Sequence, residues 1–126
     1  MKEFEKWFKK AEGDLMIIQN IVLLPDSPYD LCCFHAQQAS EKYLKAFLIA
    51  NHIDFPKTHD LVELNKLCSH KNIKFTEIKL LCAKLKNYSI APRYPDEMDD
   101  LTLEDAQQAY QNALAIKEFI TKHFFE

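Results

Sequence analysis

Three groups of side chains in this 126-residue sequence have types and spacings suited to chemistry. The first is His35, Gln38, Lys42 and Lys45, whose steps of three and four set an imidazole, an amide and two ammonium groups on one side of a helix. Such a stripe can hold a phosphate or nucleotide through charge-assisted hydrogen bonds. The same spacing also fits a solvated face flanking a core helix. The second is Lys57-Thr58-His59-Asp60 at a predicted helix start. Free backbone N–H groups there favour anions, although capping alone accounts for Thr58 and Asp60, with His59 as the residue left over. The third is Arg93, the single arginine among sixteen basic residues, within Ala91-Pro92-Arg93-Tyr94-Pro95-Asp96. Prolines stiffen that loop. A guanidinium held beside the Tyr94 ring suits bidentate phosphate or carboxylate binding, or else pairs with Asp96, Glu97 or Asp99 to pin the loop.

These groups must be positioned by helices. Phe4, Phe8, Ala11, Leu15, Ile18 and Val22 recur at helical steps, and Gly13 within the stretch weakens it by about 1 kcal/mol relative to alanine. Pro25-Asp26-Ser27-Pro28 separates this stretch from a second helix predicted from about Tyr29 to His52, with Ser27 as N-cap and Pro28 at the first helical position. Its Cys32, Ala36, Ala39, Tyr43, Ala46 and Ala50 form a seam of small residues, while Phe34, Leu44, Leu48 and Ile49 add apolar surface elsewhere. A helix apolar on several sides is central. Thr58 is expected to cap a short third helix carrying Leu61, Leu64 and Cys68. Ile78, Leu81, Cys82 and Leu85 mark a fourth. Thr102 and Asp105 form a capping-box start for the last, whose buried stripe is Leu103, Ala106, Tyr110, Ala113, Ile116 and Ile120. The expected fold is all-α: one domain, residues 1–126, built as an antiparallel up-and-down bundle of four long helices plus one short helix.

Composition removes several function classes. One glycine in the chain argues against glycine-dependent phosphate loops, dinucleotide fingerprints and sheets rich in primed turns. A net charge of −3 of mixed sign predicts neither a DNA partner nor a polybasic membrane anchor. The charged N-terminus lacks a signal-peptide core and no apolar run spans a bilayer, so the expected location is cytoplasmic. Four cysteines without a C-x-x-C pair, and five histidines without ligand spacing, predict no metal site and no cofactor.

The run Tyr29-Asp30-Leu31-Cys32-Cys33-Phe34-His35-Ala36-Gln37-Gln38-Ala39-Ser40-Glu41-Lys42-Tyr43-Leu44-Lys45-Ala46 resembles the signature helix of the HEPN family of small prokaryotic helical proteins. Ala11-Glu12-Gly13-Asp14-Leu15 is similar to the family's first-helix pattern, and Lys57-Thr58-His59-Asp60-Leu61 and Arg93-Tyr94-Pro95-Asp96 follow in order. The resemblance implies a helical bundle, dimeric or higher, related to the helical domain beside some nucleotidyltransferases. It implies an association with a minimal nucleotidyltransferase as a toxin–antitoxin pair. It also brings in metal-independent RNases that carry an R-x(4–6)-H motif across a dimer interface. His35, Gln38, Glu41, Lys42 and Lys45 match the signature helix, His59 and Asp60 the second motif, and Arg93 the arginine of the third. At the histidine of the RNase motif this sequence has Met98, Asp99 and Asp100 instead. Methionine cannot exchange protons, and an exposed aspartate is too acidic near neutrality.

The expected function is therefore a nucleotide- or phosphate-binding and partner-binding module, with His35, Gln38, Lys42, Lys45, His59, Arg93 and Tyr94 as ligand residues. Its partners would be a second copy and a nucleotidyltransferase, with nucleotide or RNA as ligand, and catalysis is not expected. The alternatives are an RNase toxin using Arg93 with His35 or His59, and an oligomerisation module without a ligand.

Overall fold

The computed structural model describes residues 1–21, 26–89 and 101–126. Val22, Pro25 and the whole Pro92–Asp100 loop, with Arg93 and Tyr94, lie outside the described residues. The chain forms α1 (Glu3–Ile21), α2 (Tyr29–Ala50), α3 (Leu61–Lys71), α4 (Lys79–Leu85) and α5 (Leu103–His123). A 3₁₀ helix, Ile73–Ile78, leads into α4, and a 3₁₀ turn, Lys86–Tyr88, follows it. The described residues contain no strand, as the helical periodicities require.

The centre of the bundle is α2, which packs against α1, α3, α4 and α5. Its seam residues Cys32, Ala36, Ala39 and Ala46 are fully buried, as are Cys33, Leu44 and Leu48 on its other sides. Small side chains let neighbouring axes approach closely, and burial all round explains why no polar face is spared for water. From α1 come Ala11, Leu15 and Ile18; from α3, Leu61, Leu64 and Cys68; from α5, Ala106, Ala113, Ile116 and Ile120. A phenylalanine cluster closes one end, with Phe47–Phe75 centroids 4.4 Å apart and Phe8–Phe124 centroids 4.8 Å apart. All four cysteines are free and buried. Burial pushes the Cys33 and Cys82 thiols up to about 12 and raises those of Cys32 and Cys68 as well. They are core hydrophobes rather than nucleophiles.

Several helix ends differ from expectation for local reasons. The N-cap of α2 is Pro28, and the Ser27 hydroxyl donates instead to the Ile21 carbonyl at 2.7 Å, at the end of α1. Asp60, not Thr58, caps α3, accepting from Val62 and Glu63 N–H. The Thr58 hydroxyl accepts from Asp60 N–H and fixes that turn. The box at Thr102 and Asp105 forms as predicted, although Leu103 of the expected α5 stripe is 40% exposed.

Helix α2 stops at Ala50 through a pair of hydrogen bonds, Ile53 N–H to Leu48 O at 2.9 Å and His52 N–H to Ile49 O at 3.1 Å. This is the Schellman arrangement, whose left-handed position usually carries glycine. Here it carries His52, at φ 56°. A left-handed non-glycine residue costs roughly 1–2 kcal/mol. The turn aims residues 51–60 back along the bundle toward the face of α2 that carries Glu41.

Candidate functional site

Two buried carboxylates organise the polar residues of the bundle. Asp14 lies on the core side of α1, between Ala11 and Ile18, and is 7% exposed. An ionised carboxylate there needs donors. Because α1 runs beside the face of α2 that carries His35 and Lys42, two turns apart, it receives both. His35 Nδ1–H donates to Oδ1 at 2.9 Å and Lys42 Nζ to Oδ2 at 2.5 Å.

Glu41 repeats the pattern one helical face away and is 4% exposed. Lys45 Nζ donates to Oε2 at 3.0 Å and His59 Nδ1–H to Oε1 at 2.9 Å. The buried Gln37 amide donates to the same Oε1 at 3.3 Å and to the His59 carbonyl at 2.9 Å. Gln38 in turn donates to Gln37 Oε1 at 2.7 Å. The loop bearing His59 is thus tied to α2 through both its backbone and its ring. Lys45 is itself nearly buried, with its ammonium 5.9 Å from the centroid of Trp7 and 5.6 Å from that of Phe55. Both ring faces favour a cation there.

Each unit is therefore lysine, carboxylate, histidine, with the imidazole held at Nδ1. A carboxylate accepts and cannot donate, so it fixes the Nδ1–H tautomer and leaves Nε2 as the presented atom. Neither Nε2 has a partner among the described residues. Neutral, such a nitrogen accepts a proton from a hydroxyl; protonated, it donates to a phosphate oxygen. The His35 side chain is 21% exposed and that of His59 67% exposed, so ligands can reach both. Among the described residues no three His, Cys, Asp or Glu side chains converge to hold a metal.

The sequence-predicted residues therefore divide. The structure brings His35 and Lys42 together through Asp14, and Lys45 and His59 together through Glu41, with Gln38 attached by way of Gln37. It does not leave the stripe as a solvated face, because α1 and the 51–60 loop cover much of it. The ammonium of Lys45 is committed to Glu41 and two aromatic rings. Arg93 and Tyr94 lie outside the described residues. Reading residue types alone missed Asp14, Glu41 and Gln37 as the organising groups. The available signal was two acids and an amide at positions whose helical neighbours are core residues.

The HEPN domain model matches residues 4–123 of the chain. The chain is 27% identical over 134 residues to the "Putative toxin MJ1304" of Methanocaldococcus jannaschii, an alignment covering 95% of this chain and 87% of that protein. It superimposes on the crystal structure of ST0689, described as an archaeal HEPN homologue, with a TM-score of 0.74 and 25% identity, covering 98% of this chain and 99% of the other. With TT1696 from Thermus thermophilus the TM-score is 0.78 and the identity 25%, over 97% and 98% of the two chains. No helix among the described residues is long and apolar enough to cross a membrane.

Proposed function

The chain belongs to the HEPN family, and on that premise we propose that it is a toxin-related module that binds a phosphate-bearing ligand, a nucleotide or RNA, and works beside a nucleotidyltransferase. The observation that carries this reading is the pair of imidazoles held at Nδ1 by buried carboxylates with Nε2 unclaimed. In this reading His35 and Lys42, oriented by Asp14, and His59, oriented by Glu41, meet phosphate oxygens. Gln38 supplies an amide beside them, and Lys45 acts by holding Glu41 in place. Arg93 and Tyr94 complete the ligand set as a guanidinium and a stacking ring, and the module acts as a homo-oligomer.

The test is a melting-shift panel of nucleotides on the purified protein. A ligand at about a hundred times its dissociation constant stabilises the fold by about 2.7 kcal/mol. We expect one nucleotide class to do so, and Arg93→Ala and His35→Gln each to reduce the shift. A flat panel overturns the ligand assignment.

The same geometry favours a second reading, RNA cleavage, because an imidazole oriented by a carboxylate is the form a general base takes. Arg93 would stabilise the phosphate, and His35 or His59 would replace the histidine missing after Arg93. Expression of the chain alone would then arrest growth, with Arg93→Ala and His35→Ala each relieving the arrest. Harmless expression eliminates this reading and leaves the binding module.

A further inference from the structure

The two rings that flank Lys45 also border a cavity of about 480 Å³ at the C-terminal end of α2, where Trp7 and Phe55 stand beside Glu3, Asp54 and His52. This is a separate place from His35 and His59, neither of which lines it. Ile49, in its wall, lies about 20 Å along the helix axis from His35. The lining is built at one end of the fold: α1 contributes Glu3 and Trp7 from its first turns, and the Schellman turn delivers His52, Asp54 and Phe55. His52 is held there in a left-handed conformation that the chain does not adopt without cost.

Two carboxylates, Glu3 and Asp54, and one imidazole, His52, line the cavity. Glu3 and Asp54 are exposed and neither has an ion-pair partner among the described residues. The nearest buried cation, Lys45, is neutralised by Glu41 at 3.0 Å, so two carboxylates without an ion-pair partner among the described residues stand beside two aromatic rings. Those rings already take an ammonium from inside the protein, at 5.9 and 5.6 Å. An aromatic wall joined to carboxylates is the combination that recognises organic cations.

We propose that this cavity binds an organic cation, an amine or guanidinium, seated against Trp7 and Phe55 and paired with Glu3 and Asp54. The cation can come from a free polyamine or from a basic side chain of a bound protein; the ring faces and carboxylates read the same group in both. Such a site would let a cationic ligand act on the unit of Lys45, Glu41 and His59 through the shared aromatic rings, without direct contact to His35 or His59.

Trp7 is the sole tryptophan of the chain, so its fluorescence reports this wall directly. The full chain is titrated with spermidine, agmatine, a short arginine-bearing peptide and, as a charge control, inorganic phosphate. The proposal expects a saturable, salt-sensitive change with the amines or the peptide. It expects affinity about tenfold weaker in Glu3→Gln/Asp54→Asn. That variant keeps its fold, with a melting temperature only slightly lowered by the charge removed from the first turn of α1. Phe55→Leu weakens binding while leaving both charges in place. Stronger binding of the free amines identifies a small-molecule ligand, and stronger binding of the peptide identifies a protein side chain. The proposal is overturned if no cation gives a saturable change, if the double variant binds as well as wild type, or if phosphate binds in place of the amines.

Discussion

Replacing Glu41 by glutamine keeps its shape and removes one charge from the middle of the bundle, and the structure sets what this should do. Glu41 is 4% exposed and accepts from Lys45, His59 and Gln37. The exposed His59 ring can turn to water at little cost. Lys45 cannot: it is 8% exposed, and the new amide would point a donor at its ammonium in one of its two orientations. Loss of a charge-assisted hydrogen bond with the cation left buried costs about 3 kcal/mol. The residual attraction of Trp7 and Phe55 for the ammonium keeps the penalty from rising further. Lys45→Met strands the carboxylate instead, which retains two donors, and should cost about 2 kcal/mol. In the double variant no charge is left unpaired and the methionine fills the space between the rings. It should cost about 3 kcal/mol rather than the sum, a coupling of about 2 kcal/mol. Urea unfolding followed by far-ultraviolet circular dichroism measures all three, with the slope of the transition unchanged. For a chain of this size the Glu41→Gln loss corresponds to a melting decrease of about 10–15 °C. Costs that add to within about 0.5 kcal/mol, or a Glu41→Gln cost below that figure, would refute the argument that Lys45 is buried by virtue of Glu41.

Other consequences can be checked with the same unfolding assay. His52→Gly should stabilise the protein by about 0.5–1 kcal/mol, because relief of left-handed strain outweighs the extra freedom of the unfolded chain; a loss of stability would mean that the His52 side chain contributes more than its backbone costs. Gly13→Ala should add up to about 1 kcal/mol, since Gly13 is inside α1 and an added Cβ meets no atom within 4 Å; no gain would place a hidden clash or fraying at that turn. The thiols of Cys33 and Cys82, raised from 9.0 to about 12, stay protonated in the fold while the unfolded chain ionises. Their contribution is therefore whole below about pH 9 and is lost as pH rises toward 12, by about 1.4 kcal/mol per pH unit for each thiol. Cys82→Ala should flatten that alkaline slope, and the native cysteines should resist alkylation near neutral pH; rapid alkylation of the folded protein would contradict their burial.

What could be read from the sequence was what neighbours along the chain decide. The Thr102–Asp105 box closes within one turn, so residue types suffice. The α2 seam is visible because a repeat of alanine and cysteine at helical steps has few other uses. The site was legible in part: His35, Lys42, Lys45 and His59 were picked out, but as free cations and imidazoles. Their carboxylates were named only as positions of the family pattern and not as partners, because Asp14 reaches His35 and Lys42 only through the packing of α1 on α2, across 21 and 28 residues. Glu41 reaches His59 only because the turn at His52 sends the loop back. At the start of α3, Thr58 and Asp60 are both competent caps, and the path of that loop selects Asp60. The exposed Leu103 shows the limit of a periodic stripe at a helix end, where the first turn extends past its neighbours.

The account rests on two imidazoles held at Nδ1 by buried carboxylates, each Nε2 taking up a proton to donate to a phosphate oxygen when ligand binds. Long-range ¹H–¹⁵N correlation spectra of the histidine rings, recorded before and during nucleotide titration, observe both halves at once. The account predicts Nδ1–H tautomers for His35 and His59 in the free protein and a saturable movement of their Nε2 resonances as nucleotide binds. Nε2–H tautomers, or Nε2 signals that stay fixed while nucleotide saturates the protein, would contradict it.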